Sequence, residues 1–156
     1  MGVGSMITYI SGGKELLDTV EPLWVNLIEH HKVRSEYFRK EFEAFTFSTR
    51  KQMLEDKAHE GSILVEVAMD NDLNKAVGYC ISSINRFKQG ELESIYVDAK
   101  FRGQRIGETL ARRALSWMDE QGSYSKVVVV AVGNEEVLGF YARYGFLPRQ
   151  LLLKQT

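Results

Sequence analysis

The stretch ELESIYVDAKFRGQRIGETLARRALSWM, residues 91–118, decides the fold because it joins a strand, a glycine-containing loop and a helix. Residues 92–97 are rich in β-formers and predict the strand. The apolar residues that follow Ile106 at helical spacing are Leu110, Ala114, Trp117 and Met118. This spacing predicts the buried face of an amphipathic helix. The stretch is therefore a strand–loop–helix unit.

The loop between the predicted strand and helix has the chemistry of a phosphate site. The first amides of a helix have no intrahelical partner, and the helix dipole places partial positive charge beside them. Gly103 and Gly107 allow a ligand to come close to this backbone, and Arg102 and Arg105 add full charges. Such a site suits phosphate. The loop contains neither the Gly-Lys-Ser/Thr of a P-loop nor a Gly-x-Gly-x-x-Gly motif, so neither of those nucleotide sites is predicted.

The composition is typical of one globular domain of ordinary size. The chain has 156 residues and a formal charge of −1, which argues against a general role on nucleic acid or on a membrane surface. No apolar run approaches the roughly 18 residues that span a bilayer. The single cysteine, Cys80, excludes an internal disulfide and predicts a cytoplasmic protein. Residues 1–5 are typical of an expression-vector remnant before Met6, so we expect one domain over 6–156.

The N-terminal part of the chain predicts a strand and then helices. Residues 7–10 predict the strand, and a helical pattern follows in which Pro22 either kinks a helix or begins it. A second amphipathic segment carries aromatic residues over 37–45. Thr49, followed by Gln three residues later, has the form of a capping box for a third helix, which Gly61 could end.

The rest of the chain predicts a meander followed by alternating helices and strands. Three successive strands are predicted at 63–69, 76–84 and 92–97. Their short links indicate antiparallel pairing. Beyond the long helix, the valine-rich run 126–132 predicts a parallel strand covered on both faces. Asn134 begins another predicted helix that Gly145 ends, and residues 151–153 complete a final strand.

The three histidines do not predict a metal site. His30 and His31 are adjacent and therefore point to different sides of a helix, and His59 lies far along the chain. A metal site needs His, Cys or acidic residues at spacings that are absent here. We expect all three histidines at the surface or lining a pocket, and no metal cofactor.

The loop resembles the phosphate loop of the GNAT superfamily, the acyl-CoA-dependent N-acyltransferases. That loop is usually Arg/Gln-x-x-Gly-x-Gly/Ala, and Arg102 takes its first place and Gly107 its last. Arg105 stands where the central glycine is usual. Positive φ would strain an arginine, so we expect Arg105 in the first turn of the helix with an ordinary backbone conformation.

A second motif supports the same resemblance. Asn134, Tyr141 and Gly145–Phe146 match the family's Asn…Tyr-x-x-x-Gly-Phe ending. The order of predicted elements is also that of the family, and the likeness covers essentially the whole chain, best from Val77 onward. It implies an α/β (α+β) GNAT fold, which is a mixed, mostly antiparallel twisted sheet flanked by helices, with a parallel strand pair splayed around the acyl-CoA site.

The resemblance implies a role for each residue of the two motifs. Backbone groups of Ile95, Tyr96 and Val97 would bind the pantetheine arm and the thioester as an added strand would. The pyrophosphate would be held by Arg102, Gly103, Gln104, Arg105, Ile106 and Gly107. Asn134 would contact pantetheine, although it could equally cap the helix that follows. Tyr141 would face the thioester sulfur.

The implied reaction needs help with proton transfer. An alkylammonium has a pKa near ~10.4, so about one amine in a thousand is nucleophilic at neutral pH. Glu91 and Glu93 share a face of one strand, and Glu93, nearer the bond-forming end, is the candidate base. Glu91 or a water molecule is the alternative. Tyr141 is the candidate acid for the leaving thiolate. No protein nucleophile is needed, and Cys80 is expected to be a buried small hydrophobe.

The resemblance therefore implies direct transfer of an acetyl or other acyl group from acetyl-CoA, the cosubstrate, to a primary amine. The resemblance implies that the first helices wall the acceptor pocket, but small amines and peptides both stay open as acceptors. No nucleic acid or membrane partner is expected, and a homodimer is compatible with the sequence. The alternatives are a catalytically silent CoA-binding or regulatory domain of the same fold, or a nucleotide-binding structural module.

Overall fold

A computed structural model describes residues 6–156 as a five-stranded sheet with helices on both faces. The predicted vector remnant at residues 1–5 lies outside the described residues. The strands are β1 (Ile7–Gly12), β2 (Ser62–Asp70), β3 (Lys75–Ile84), β4 (Gln89–Val97) and β5 (Ser125–Val128). The helices are α1 (Leu17–Arg34), α2 (Arg39–Ala44), α3 (Phe47–Glu60), α4 (Ile106–Glu120) and α5 (Leu138–Ala142). None of the helices described over 6–156 has both the length and the apolar character needed to cross a membrane.

The sheet has the strand order β1-β2-β3-β4-β5. The first four strands pair antiparallel with their neighbours, and β4 pairs with β5 in parallel. Strand β5 follows α4, which supplies the crossover connection that a parallel pair requires. This arrangement confirms the predicted mixed sheet, with its antiparallel meander and one parallel pair.

Alternate residues of the central strands point into two separate cores. On one face, the fully buried Ala68 and Cys80 pack with Leu110 of α4. On the other face, the fully buried Val67 and Tyr79 pack in a cluster that includes residues of α1 and α3. Successive side chains of a strand point to opposite faces, so a sheet with helices on both sides buries both sets. Strand β3 is consequently packed on both faces, and β4 pairs along one of its edges.

Strand β4 has two irregularities that shape the protein's main cleft. Its pairing with β3 shifts between the pairs Ile81–Ser94 and Ser82–Leu92, so Glu93 is the extra residue of a β-bulge. Its pairing with β5 covers only Gln89–Leu92. The backbone of residues 93–97 is therefore not paired with β5, and the ends of the two strands separate.

In the first helices, the structure decides between two alternatives for Pro22 and corrects the predicted cap of α3. Helix α1 begins at Leu17 and continues through Pro22, so the proline does not begin it. Helix α3 is capped by Thr46, whose Oγ1 accepts the N–H of Thr49 at 3.2 Å. The predicted cap at Thr49 was wrong. Thr46 stands three residues earlier and precedes the first turn, whereas Thr49 lies within that turn. Gly61 ends α3, as predicted.

The C-terminal region departs further from the prediction. Strand β5 ends at Val128, and Val129 is 79% exposed, so the valine run is not covered on both faces over its whole length. Residues 151–153 form no strand, and their leucine side chains are more than four-fifths exposed. A strand needs a neighbour that shares its backbone hydrogen bonds, and an apolar triplet says nothing about whether one lies within reach.

Candidate active site

A cleft of about 910 Å³ opens where β4 and β5 separate. Its floor is residues 91–97 of β4. One end lies against the loop and first turn of α4, and we call it the loop half. The other end lies against side chains of α1, α2 and α3, and we call it the helix half. Asn134 and Tyr141 also line the cleft, so the two motifs meet at one place.

The N-terminus of α4 presents free amides to the loop half. The first backbone bond of the helix runs from the Thr109 N–H to the Arg105 carbonyl, at 3.0 Å. No side chain caps the helix. The N–H groups of residues 106–108 therefore have no partner within the helix. Together with the helix dipole they form a site suited to an anion.

Arg105 has a left-handed backbone conformation, with φ 61° and ψ 20°. The expectation of an ordinary helical conformation was wrong, because Arg105 is the residue before the first helical residue rather than part of the first turn. Its carbonyl accepts both the N–H and the hydroxyl of Thr109, each at 3.0 Å. Left-handed backbone costs a non-glycine residue roughly 1–2 kcal/mol. Arg105 thus keeps the backbone shape that glycine usually supplies and adds a cation.

The two glycines of the loop have different reasons to be glycine. Gly103 has φ 83°, which side chains rarely adopt, although a Cβ there would meet nothing within 4 Å. Gly107 lies within α4, and a Cβ there would make only ordinary contacts of 3.8 Å with Val97 and Phe140. The fold itself therefore does not require glycine at 107. What the glycine provides is open space over the helix backbone, inside the cleft.

The remaining loop residues divide into those that face the cleft and those that do not. The Arg102 Nε donates to the carbonyl of Val97 at 3.0 Å, and its guanidinium lies 5.4 Å from the centre of the Tyr96 ring. This holds the arginine against the end of β4. Ile106 is 2% exposed and packs into the core, so only its backbone can reach a ligand. Gln104 is exposed and does not line the cleft.

Tyr141 is held by aromatic neighbours at the floor of the cleft. The residue is 8% exposed and packs edge-on against Phe140 and Phe146, with ring centres 5.3 and 6.2 Å away. Burial raises the pKa of the Tyr141 phenol, so it stays protonated at neutral pH. No hydrogen bond to its hydroxyl is made by any group within 6–156. Tyr144 instead packs edge-on against Phe140 from outside the cleft.

Asn134 does not cap the short helical turn that follows it. Its side chain makes no capping bond, and its Oδ1 lies 3.1 Å from Nε2 of His30. The same ring nitrogen lies 3.4 Å from Glu136, which also pairs with Arg34 at 3.0 Å. His30 therefore joins α1 to the second motif. His30 and His31 both line the cleft, in keeping with the expected surface or pocket position.

Glu93 is buried within a network of donors. Its side chain is 2% exposed, and its carboxylate accepts from Ser83 and Lys57 at 2.5 Å and from Arg50 at 3.2 Å. Arg50 also donates to the Glu93 carbonyl at 3.1 Å, which satisfies the bulged residue twice. Such charge-assisted bonds stabilise the ionised carboxylate in place. One of these donors lies on Oε1 and two lie on Oε2.

Glu91 lies on the same strand in a different environment. Its side chain is 28% exposed and pairs with Lys57 at 3.6 Å. Partial burial raises the pKa of the Glu91 carboxyl, and the neighbouring charge of Glu93 raises it further. Of the two acids, Glu91 is the more open to the cleft and the less occupied by donors.

Three residues of the site were not found from the sequence, namely His30 as a partner of Asn134 and the pair Arg50 and Lys57. All three lie on helices that are distant in the chain from the strand or turn they contact, so no local pattern marks them. Amphipathic spacing could show only which helix faces are apolar. Arg50 and Lys57 are seven residues apart, which places them on one face of α3, but nothing in the sequence indicated that this face contacts β4.

Comparison with protein families gives one match that covers most of the chain. The model of the acetyltransferase (GNAT) family matches residues 27–146, which include both motifs. The chain belongs to this family. The match confirms the resemblance that the loop and the Asn…Tyr-x-x-x-Gly-Phe ending carry.

Curated relatives match over part of their length. An uncharacterised N-acetyltransferase of Methanocaldococcus jannaschii is 32% identical over 46% of this chain and 32% of its own. N-alpha-acetyltransferase 30 of Schizosaccharomyces pombe is 30% identical over 51% of this chain and 55% of its own. Glucosamine 6-phosphate N-acetyltransferase 1 of Oryza sativa subsp. japonica is 36% identical over 40% and 36%. The matches thus span about a third to a half of these relatives.

Solved structures show the same fold across nearly the whole chain. A GCN5-related N-acetyltransferase from Ralstonia eutropha superposes with a TM-score of 0.76 at 17% identity, covering 97% of this chain and 99% of its own. An aminoglycoside N-acetyltransferase in complex with CoA superposes with a TM-score of 0.70 at 16% identity, covering 100% and 97%. Identities this low establish the fold alone.

Proposed function

We propose that this protein transfers an acetyl group from acetyl-CoA directly to a primary amine in the cleft between β4 and β5. One observation carries the proposal, which is that the unpaired edge of residues 93–97 lies beside the uncapped N-terminus of α4. An extended pantetheine arm can bond to such a backbone edge as an added strand does. A pyrophosphate suits the free amides. The two surfaces match the two chemical parts of CoA.

The loop half supplies the binding groups for CoA in this proposal. The amides at 106–108 and the guanidinium groups of Arg102 and Arg105 hold the pyrophosphate, and Gly107 leaves room for it. The backbone of Ile95, Tyr96 and Val97 takes the pantetheine arm. Asn134 accepts the His30 Nε2–H through its Oδ1 and keeps its amide NH₂ for pantetheine. Gln104, which lies outside the cleft lining, contributes only backbone.

The base that accepts the ammonium proton comes from the two acids of β4. Glu93 is the acid predicted from the sequence, and Glu91 is the one that the contacts favour. Glu93 accepts hydrogen bonds from Arg50, Lys57 and Ser83. Glu91 is partly exposed to the cleft, and burial raises the pKa of its carboxyl above that of an ordinary glutamate. We therefore assign proton acceptance to Glu91, directly or through water, and assign Glu93 to holding the cations and the bulge. Glu93 stays the alternative, and substitution separates the two.

Tyr141 acts on the leaving group. As the amine attacks the thioester carbonyl, the C–S bond breaks and negative charge develops on sulfur. The protonated phenol donates to that sulfur and stabilises the charge. A thiol has a pKa near ~8.5 and a phenol near ~10, so complete proton transfer from the phenol is uphill, and a raised phenol pKa makes it more so. Donation of the hydrogen bond is the larger part of the acid role.

Transfer without a covalent enzyme intermediate agrees with the state of Cys80. Its side chain is fully buried, and burial raises the pKa of the thiol to about 12. A thiolate is the nucleophilic form of cysteine, so Cys80 has no means of accepting the acetyl group at neutral pH. The similarity to a glucosamine 6-phosphate N-acetyltransferase and to an aminoglycoside N-acetyltransferase supports an amine acceptor. The cytoplasmic location and a homodimer stay predictions.

The test is acetyl-CoA turnover against an amine panel, followed as release of free thiol, with calorimetric titration of CoA in parallel. The proposal predicts CoA binding and amine-dependent thiol release. Binding of CoA without release for any amine would favour the catalytically silent domain. Equal affinity for CoA and for adenosine diphosphates that lack pantetheine would favour the nucleotide-binding module.

A further inference from the structure

The helix half of the cleft has a mostly aromatic and apolar wall. Trp24 of α1 is 4% exposed and packs edge-on against Phe45 at 5.6 Å and Phe47 at 5.4 Å. The ring of His31 stacks on Phe42 at 5.5 Å. The further apolar residues that line this half are Leu27, Ile28 and Met53. A wall of this kind favours a ligand body that is itself apolar, because burial of apolar surface is the main favourable term there.

Each acidic group of the cleft has a cation of the protein within 4 Å. Glu93 has Arg50 and Lys57, and Glu91 has Lys57 at 3.6 Å. Glu108 pairs with Arg112 at 2.8 Å, and Glu136 pairs with Arg34 at 3.0 Å. Across residues 6–156, these four are the acids that line the cleft. A ligand with several ammonium groups needs several acids that are not held by cations, and the cleft offers at most one, Glu91, because Lys57 lies nearer to Glu93 than to Glu91.

The histidine of the wall adds no charge. Burial lowers the pKa of His31, and the neighbouring His30 lowers it further, so the ring is neutral at neutral pH and behaves as an aromatic surface. Its Nδ1 is buried and has no partner. A peptide carries an N–H and a carbonyl at every residue, and the apolar side chains of Leu27, Ile28 and Phe45 offer these groups no partner. The wall therefore fits a compact body better than a chain.

On these grounds, and given the amine transfer proposed above, we propose that the acceptor is a small primary monoamine with an aromatic body. The aromatic body lies against Trp24, Phe42 and Phe45, and the single amine lies toward Glu91 at the floor of the cleft. Reaction forms one N–C bond and breaks the C–S bond. One ammonium proton passes to Glu91 or its water, and the second proton lost from nitrogen passes to the departing thiolate, which leaves as the thiol. Amines with several charges and extended peptides are the acceptors that this cleft disfavours.

The test compares kcat/KM for 2-phenylethylamine, spermidine, kanamycin and the peptide Phe-Gly-Gly, all with acetyl-CoA. We expect 2-phenylethylamine to exceed each of the others by at least about tenfold, because the wall offers contact area to the ring and no acid to extra charges. Equal or faster turnover of spermidine or kanamycin would overturn the inference in favour of a polycation. Faster turnover of the peptide would overturn it in favour of a chain terminus.

Two further arms separate this inference from the function on which it rests. Calorimetry of 2-phenylethylamine in the presence of CoA reports binding without chemistry. Binding without turnover of any amine would overturn the proposed function but support the aromatic site, whereas neither binding nor turnover would overturn both. Met53→Glu makes the wall more negative by one charge, one turn from Arg50 and Lys57, at a position that is 45% exposed and so tolerates charge. The ratio of kcat/KM for 2-phenylethylamine over spermidine should fall about fivefold or more in this variant and not in Met53→Leu. An unchanged ratio would remove the helix half from acceptor recognition.

Discussion

The two halves of the cleft are built by different means. The loop half consists of backbone within one short stretch, where residues 102–107 pass directly into α4. The helix half consists of side chains from three helices that meet β4 across gaps of more than 30 residues, such as Arg50 with Glu93. The first can be recognised from adjacent residues, whereas the second exists only after the chain has folded. Substitutions in the two halves should therefore have different effects. Those in the loop half should weaken CoA binding, and those in the helix half should change acceptor selectivity or the stability of the fold.

The largest effect is expected from Gly107→Val in the loop half. The fold tolerates a Cβ at this position, but the branched side chain would occupy the space over the free amides of α4. Loss of several charge-assisted contacts of about 1.5–3 kcal/mol each predicts a fall in CoA affinity of about a hundredfold or more. Calorimetry measures this fall, and circular dichroism verifies that the variant is folded.

Gly139→Ala is the matched control, because Gly139 lies in α5, outside the cleft lining, with nothing within 4 Å of a Cβ. It should leave CoA affinity unchanged. If folded Gly107→Val bound CoA as tightly as the unchanged protein, the helix N-terminus would not be the pyrophosphate site.

The next effect is expected from Tyr141→Phe, at the junction of the halves. The substitution keeps the ring among Phe140 and Phe146 and removes the donor to sulfur. Acid catalysis is typically worth about 10²–10⁴-fold, and thiolate is a good leaving group, so we expect a loss of kcat near about 10². The hydroxyl makes no bond within the described chain, so Tm and CoA affinity should change little. A comparable loss in Tyr144→Phe, with Tyr141→Phe active, would mean that the C-terminal motif has been assigned to the wrong tyrosine.

The sequence could predict features that arise from neighbouring residues. The strand, the amphipathic α4 and the free amides of its first turn all follow from a continuous pattern. The bulge at Glu93 could not be predicted, because it depends on the register between β3 and β4. Arg105 was misjudged because residue type argued against positive φ, whereas the chain path into α4 requires it. The early end of β5 and the exposure of the leucines at 151–153 depend on whether an unpaired strand edge lies close enough to pair with them.

A third prediction concerns stability in the helix half. Arg50→Ala removes the donor to both the carbonyl and the carboxylate of Glu93, which is buried. Leaving these acceptors short of a donor should cost about 1–3 kcal/mol of unfolding free energy. Arg86→Ala, which removes an exposed pair with Glu60 at 3.7 Å, should stay within about 0.5 kcal/mol. Urea unfolding gives both values, and equal costs would show that the Arg50 network does not hold the bulge.

The smallest effect separates Glu91 from Glu93 by pH. The Glu91 pKa is raised in the folded protein, so its stabilising contribution is present below the ordinary glutamate pKa and is lost as pH rises through the raised value. Ionised Glu91 therefore costs stability at neutral pH. We expect Glu91→Gln to gain in Tm relative to the unchanged protein between pH 4 and pH 8, whereas Glu93→Gln should lower Tm because it breaks the ion pairs. Melting curves of both variants and of the unchanged protein across this pH range check the sign. A Glu91→Gln protein whose Tm falls relative to the unchanged protein as pH rises would contradict the raised pKa of Glu91.

The central claim is direct transfer between two ligands held in one cleft, and initial-velocity kinetics test it most directly. With acetyl-CoA and 2-phenylethylamine, or the best amine of the panel, both varied, a ternary complex predicts double-reciprocal lines that intersect. It also predicts no acetyl group on the protein after incubation with acetyl-CoA alone, as read by mass spectrometry. Parallel lines together with an acetylated protein would indicate a covalent intermediate, and direct transfer would then be wrong.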